Sequence, residues 1–248
     1  RRFLSIEEYV RGRHLNPENS AEVARCMQLL ARLHAQSRSR WGAISDSRNR
    51  RRFQYGLQFL RPSVLKYLAK VRRTVGVDIS EPEANQVWPL FGTRVQNLLE
   101  DPEVRFRLVH GDVTARNFLL AEDGQPRMID FVTVRYDLAG FEIIKAARGL
   151  SDGTAQGCSA AWTAYFDAAE PARWQEFKKQ AVLAFALYAL RELAQGRINL
   201  AAPQAISRNR ILQWIDALFE IPAAPWGENP RDTDWAALLG FLEMPAEN

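Results

Sequence analysis

Apolar residues recur at helical spacing over most of this chain, and one stretch in its middle breaks the rhythm. Val23, Met27, Leu30, Leu33 and His34 fall on one face of a predicted helix, capped at Asn16 or at Asn19-Ser20. Phe53 to Val71 and Val87 to Leu99 predict two more, joined by a polar, Pro-containing stretch from Asp78 to Pro82. The pattern is helical again over Phe141 to Ala147, Ala160 to Ala168, Trp174 to Gln195 and Arg208 to Phe219. Between these blocks lie short apolar runs: Arg107-Leu108-Val109, Phe118-Leu119-Leu120 and Arg127-Met128-Ile129, the last preceded by the turn signal Glu122-Asp123-Gly124-Gln125-Pro126. They predict strand, loop, strand, hairpin and strand. Phe3 to Val10 predicts a further strand, broken at Gly12. The tail from Ile221, rich in Pro and Trp, is expected to wrap the surface. The whole reads as α+β, a mainly helical lobe with a small β insert.

Composition narrows the function classes. The longest apolar run, Ala181 to Leu190, has ten residues, about half of what a membrane crossing needs. Arg1-Arg2-Phe3-Leu4 lacks the apolar stretch and cleavage site of a signal peptide. Cys26 and Cys158 are far apart, with no CxxC or His spacing, and read as free thiols of a cytoplasmic protein. The net charge is +4. It is unevenly spread, with eleven Lys or Arg and one acid, Asp46, between Arg38 and Arg73, against six acids and one Arg231 from Glu220 onward. The basic stretch reads as a solvated helical face, or else as an anion or partner surface, with no nucleic acid expected.

The β insert carries the chemistry. Its loop is His110-Gly111-Asp112-Val113-Thr114-Ala115-Arg116-Asn117, and Ile129-Asp130-Phe131 follows, with Asp130 thirteen residues past Asn117. Phosphoryl transfer needs a carboxylate near the attacking hydroxyl and oxygen ligands that hold Mg²⁺ against nucleotide phosphates. A loop between two strands brings Asp112 and Asn117 to one mouth, and the hairpin returns Asp130 to the same place.

These residues resemble the H-x-D-x-x-x-x-N loop and D-F motif of kinases. Gly111 in place of the protein-kinase Arg resembles the small-molecule branch, that of aminoglycoside phosphotransferases and choline kinases. Glu8-Tyr9-Val10-Arg11-Gly12 looks like that family's hinge strand, Leu30-Ala31-Arg32-Leu33-His34 like its Leu-x-x-Leu-His helix end, and Asp137-Leu138-Ala139 like its Asp-Leu-Ala. The resemblance implies the C-terminal lobe of a protein-kinase-like fold. Residues 1–15 would be a hinge strand and connection, 16–220 the helical lobe with its catalytic core at 107–139, and 221–248 a tail.

On the same resemblance Asp112 would be the base that orients or deprotonates an acceptor hydroxyl. Asn117 and Asp130 would hold Mg²⁺, and His110 would brace the loop. Arg116 would reach the γ-phosphate or the acceptor, or else pair with a loop carboxylate. Glu8 and Val10 would meet the base of ATP or GTP, with Leu119 and Ile129 flooring that site, although as strand residues both read as core in any case. His34 and His110 also read as satisfied core imidazoles. The implied partners are a nucleotide and a small hydroxylated acceptor of aminoglycoside, choline or sugar type. The acidic tail would suit a cationic acceptor, and Trp162, Trp174, Trp214, Trp226 and Trp235 would stack on a sugar, cage an amine, or simply fill the core.

Two departures from the pattern bear on function. Val132 replaces the Gly of D-F-G, and only six residues separate Asp130 from Asp137, too few for a phospho-regulated activation loop. No Gly-rich phosphate loop and no paired strand Lys occur ahead of the hinge, so the chain reads as a fragment lacking its N-terminal lobe, or else as a natural half, and is expected to be inactive alone. A catalytically silent binding module or scaffold is the alternative reading. A metal-dependent hydrolase is a third, with fewer carboxylates and His than such sites recruit.

Overall fold

A computed structural model of the chain describes residues 11–44, 54–200, 207–221 and 224–244. Helix α1 (Ser20–His34) begins where Asn19 accepts the Glu22 N–H through its side chain, the cap expected from sequence. A five-residue π-turn over Gly56–Leu60 runs into α2 (Arg61–Val75), which stops at Gly76 in the left-handed conformation. The Pro-containing stretch after it does more than link. Ser80 and Glu83 form a reciprocal capping box, and Pro82 lies in the first turn of α3 (Glu81–Glu100), so this helix starts six residues before the expected Val87.

Two antiparallel sheets follow. One orders β1 (Gly12–His14), β5 (Phe118–Ala121) and β6 (Pro126–Met128); the other orders β2 (Ser37–Arg38), β4 (Phe106–Val109), β7 (Arg135–Asp137) and β3 (Gly42–Ala43). The insert is therefore split between sheets, each completed by a short strand from early in the chain. Gly12, expected to break a strand, instead pairs with Ala121 in β1. A Cβ at Gly12 would collide with the Leu120 carbonyl, so the close approach of these strands requires glycine.

The rest is helical: α4 (Gly140–Leu150), α5 (Ala155–Ala168), α6 (Ala172–Ala194), α7 (Arg208–Phe219) and α8 (Trp235–Gly240), with a parallel pair of β8 (Asn199–Leu200) and β9 (Glu243–Met244). Helix α6 is buried on nearly every side and lies in the middle, packed on α2, α3, α4 and α7, while α1 lies along α5. No described helix is long and apolar enough to cross a membrane.

The five tryptophans of the later chain are all core residues, from 0% exposed at Trp162 to 7% at Trp214, which removes them as a sugar platform or amine cage. Trp162 packs edge-on against Phe177 (4.7 Å) and Trp235 (5.3 Å). The tail thus folds back into the core on the α5 side. Two of its acids are spent locally: Asp234 caps α8 and Asp232 takes the Asn229 amide. The basic stretch is partly outside the described residues; its part on α2 exposes Lys66, Arg72 and Arg73 to solvent, as expected of a solvated face.

Candidate active site

The His110–Asn117 loop leaves the end of β4 and closes in a 3₁₀ turn over Ala115–Asn117 that feeds β5. The hairpin pairs Phe118 with Met128, and Ile129 N–H donates to the Asn117 carbonyl at 3.0 Å. Asn117 and Asp130 are thereby brought to neighbouring positions, thirteen residues apart in sequence. On the other side, Asn117 Nδ2 donates to the Asp112 carbonyl (2.7 Å) and to Asp112 Oδ2 (3.3 Å). The three predicted residues Asp112, Asn117 and Asp130 therefore occupy one mouth.

Each differs in setting. Asn117 is buried, and both hydrogens of its amide are spent on Asp112, which leaves the amide oxygen as the end open to a cation. Asp130 is exposed and holds a left-handed backbone (φ 62, ψ 61), the one positive φ among the described non-glycine residues. Such a conformation costs about 1–2 kcal/mol for most L-residues and less for Asp. Phe131 and Val132 follow it outward, 45% and 88% exposed. An amide oxygen and a carboxylate are hard donors of the kind Mg²⁺ takes. Among the described residues no cluster of three or more His, Cys, Asp or Glu offers a closed cage. An ion held by one or two protein oxygens, with phosphate and water completing its shell, is the way Mg²⁺ is bound, so these residues fit it.

Asp112 is the half-open member, its side chain 38% exposed. Oδ1 takes Lys145 Nζ from α4 at 3.1 Å. Burial by itself would raise the Asp112 carboxyl, but the hydrogen bond and charge of Lys145, with the Asn117 amide and the Arg116 charge, outweigh it and hold the carboxyl below its usual range. Burial in turn pushes the Lys145 ammonium down, with Arg191 adding to the effect and Asp112 opposing it. Arg116 itself is exposed and acts on Asp112 through its charge. The pairing of Arg116 with a loop carboxylate that the sequence allowed is not among the described ion pairs.

The loop is braced from beneath. His110, fully buried, accepts the Asp112 N–H on Nδ1 (3.3 Å), so Nε2 carries the hydrogen and donates to the Ile129 carbonyl at 2.8 Å. One imidazole thus ties the loop to the strand before Asp130. Glu142, buried on α4, accepts His110 N–H (2.9 Å), Gly111 N–H (2.6 Å) and His34 Nε2 (3.0 Å), while the Tyr165 hydroxyl meets His34 Nδ1 at 2.8 Å. Burial alone would raise the Glu142 carboxyl; the His34 and backbone hydrogen bonds outweigh it and hold it low. Burial likewise depresses His34 and keeps its imidazole neutral. Both histidines are satisfied core imidazoles, as expected, and both also support the loop.

Gly111 explains its own identity. Its φ is +85°, and a Cβ would lie 2.5 Å from Arg135 Nη1 and 2.6 Å from the Thr133 carbonyl. The 131–137 segment crosses the loop at this point, and Thr133 Oγ1 donates to the His110 carbonyl at 2.9 Å. Asp137 anchors that segment, accepting Tyr55 OH (2.5 Å), Arg135 Nε (2.9 Å) and Leu138 N–H (2.8 Å).

Leu119 and Ile129 depart from expectation. Neither belongs to the core, because Phe118 and Leu120 are the core-facing residues of β5 and alternation turns Leu119 to the opposite side. Half-buried there, Leu119 lies in register with His14 and Arg127 on a face left free by the core. Glu8 and Val10 lie outside the described residues. Lys145 and Glu142 carried no motif, although Lys145 between Ile143-Ile144 and Ala146-Ala147 is a charge inside an apolar helix face, the one signal that pointed to it.

A family model described as the phosphotransferase enzyme family matches residues 2–177. No curated protein matches the chain. Among solved structures, an aminoglycoside phosphotransferase from Alicyclobacillus acidocaldarius is similar over 95% of this chain and 70% of its own, at 17% identity and a TM-score of 0.47. A choline/ethanolamine kinase family protein from Mesorhizobium loti is similar over 94% and 72%, at 18% identity and a TM-score of 0.44. Plasmodium vivax ethanolamine kinase is similar over 87% and 65%, at 14% identity and a TM-score of 0.45.

Proposed function

Because this chain belongs to the phosphotransferase enzyme family, we propose that it carries the catalytic and metal-binding residues of an enzyme that moves the γ-phosphoryl group of ATP or GTP to a hydroxyl of a small molecule. The observation that carries this reading is the convergence of Asp112, Asn117 and Asp130 through the Asn117–Asp112 and Ile129–Asn117 hydrogen bonds. Asp112, half-open and ionised, accepts the acceptor's hydroxyl hydrogen and orients its oxygen for in-line attack. Asn117 and Asp130 would hold Mg²⁺, whose positive charge would offset that of the nucleotide phosphates. Arg116, exposed beside Asp112, offers its charge to the transferred group or the acceptor, and Leu119 and Ile129 supply an apolar floor for the base. Glu8 and Val10 remain proposed contacts of that base. The acceptor is a small hydroxylated compound of aminoglycoside, choline or sugar type.

The test is a nucleotide-consumption screen of the protein with Mg-ATP and Mg-GTP against such compounds. Phosphate transfer that disappears in Asp112→Asn and Asp130→Ala supports the reading. Nucleotide binding without transfer to any of them favours a silent binding module.

A further inference from the structure

Lys145 lies 33 positions from Asp112 in sequence and ends on its carboxylate. It sits on α4 between Ile144 and Ala146, both 0% exposed, and its own side chain is 7% exposed. A buried ammonium is costly unless paired, and here its ion pair is with Asp112 Oδ1, 3.1 Å away. The second Asp112 oxygen takes Asn117 Nδ2. The carboxylate is therefore gripped from two elements, α4 and the 3₁₀ turn, while its outer side stays open. Other charges near Lys145 do not compete for it. Arg191 of α6 is held by Glu192 at 2.6 Å, and Glu142 is occupied by His34 and the loop amides.

We propose that Lys145 is a positioning residue for the transfer reaction, fixing the plane of the Asp112 carboxylate toward the acceptor hydroxyl. The inference rests on the reading of Asp112 as the base. A base works only within hydrogen-bond reach of its proton, and a displacement of about 1 Å can cost on the order of 10²-fold in rate. Lys145 supplies the charged contact that prevents that displacement, from helix α4.

The experiment is steady-state hydrolysis of Mg-ATP by the full chain, with water as acceptor, for the wild type, Lys145→Met and Lys145→Arg. The expected result for Lys145→Met is a fall in kcat of at least about tenfold with KM for Mg-ATP changed less than about twofold. Lys145→Arg, which keeps the cation, recovers most of the loss. An unchanged kcat, a loss confined to KM, or no recovery with Arg overturns the proposal. A wild type that turns over no Mg-ATP moves the test to stability. The clamp is then decided by a urea double-mutant cycle of Lys145→Met with Asp112→Asn. Coupling of about tenfold or more in the unfolding constant supports it, and additivity within about twofold overturns it.

Discussion

Gly111 N–H points at Glu142 Oε1 at 2.6 Å, so a carboxylate on helix α4 holds the backbone of the loop that presents Asp112. With His110 N–H and His34 Nε2 on the same group, three donors depend on one buried acid. Glu142→Gln turns one acceptor oxygen into a donor facing another donor. We expect a loss of roughly 3 kcal/mol in unfolding free energy, read by urea denaturation. A loss below about 1 kcal/mol, typical of one neutral hydrogen bond, would contradict this role.

The two turn glycines Gly111 and Gly124 separate backbone strain from collision. Both have positive φ, +85° and +73°, but only Gly111 has atoms where a Cβ would go. Gly124→Ala should cost about 1 kcal/mol, the left-handed penalty alone. Gly111→Ala adds displacement of Thr133 and Arg135 and should cost about 3 kcal/mol or more. Equal melting temperatures for the two variants would refute the packing argument.

Stability should fall as pH drops from neutral, in two stages. His34 has a depressed value in the folded state, so the unfolded chain takes up its proton first, and stability is lost as pH falls below about 6.5. Glu142 is depressed as well, and its contribution, present above about 4.3, is lost as pH falls below that value. Urea midpoints measured from pH 8 down to about pH 2.5 check the sign of both stages, and His34→Asn should flatten the first. A wild-type midpoint that rises between pH 7 and pH 5.5 would show the sign to be wrong.

Asp130 combines exposure with a left-handed backbone. Asp130→Gly relieves the strain and adds unfolded-state entropy, two effects of about 1 kcal/mol each that oppose one another. The variant should fold with its stability unchanged to within about 1 kcal/mol and lose Mg²⁺-dependent turnover. Turnover near the wild-type rate would sink the metal assignment.

Residues 131–136 are already ordered by a 3₁₀ turn, by the Thr133–His110 bond and by entry into β7. Any activity should therefore need no phosphorylation, and phosphatase treatment should leave turnover unchanged. Its loss on such treatment would overturn this expectation.

Helical periodicity alone placed α1, α4, α6 and α7 to within a few residues, because a buried helix face imposes its spacing on the chain whatever it packs against. The Asp112, Asn117 and Asp130 spacing was legible for a similar reason: strand, turn and strand return a hairpin to its starting mouth by local geometry. The capping box at Ser80 was masked by Pro82, which reads as a breaker unless its place in the first turn is known. Leu119 and Ile129 looked like core because an apolar strand residue has two faces, and only the packed sheet decides which is covered. Lys145 and Glu142 belong to α4 and His34 to α1, two helices far apart in sequence. Their meeting under the loop depends on how α1, α4 and α5 pack, and a long-range contact between buried polar groups leaves no periodic trace in either segment.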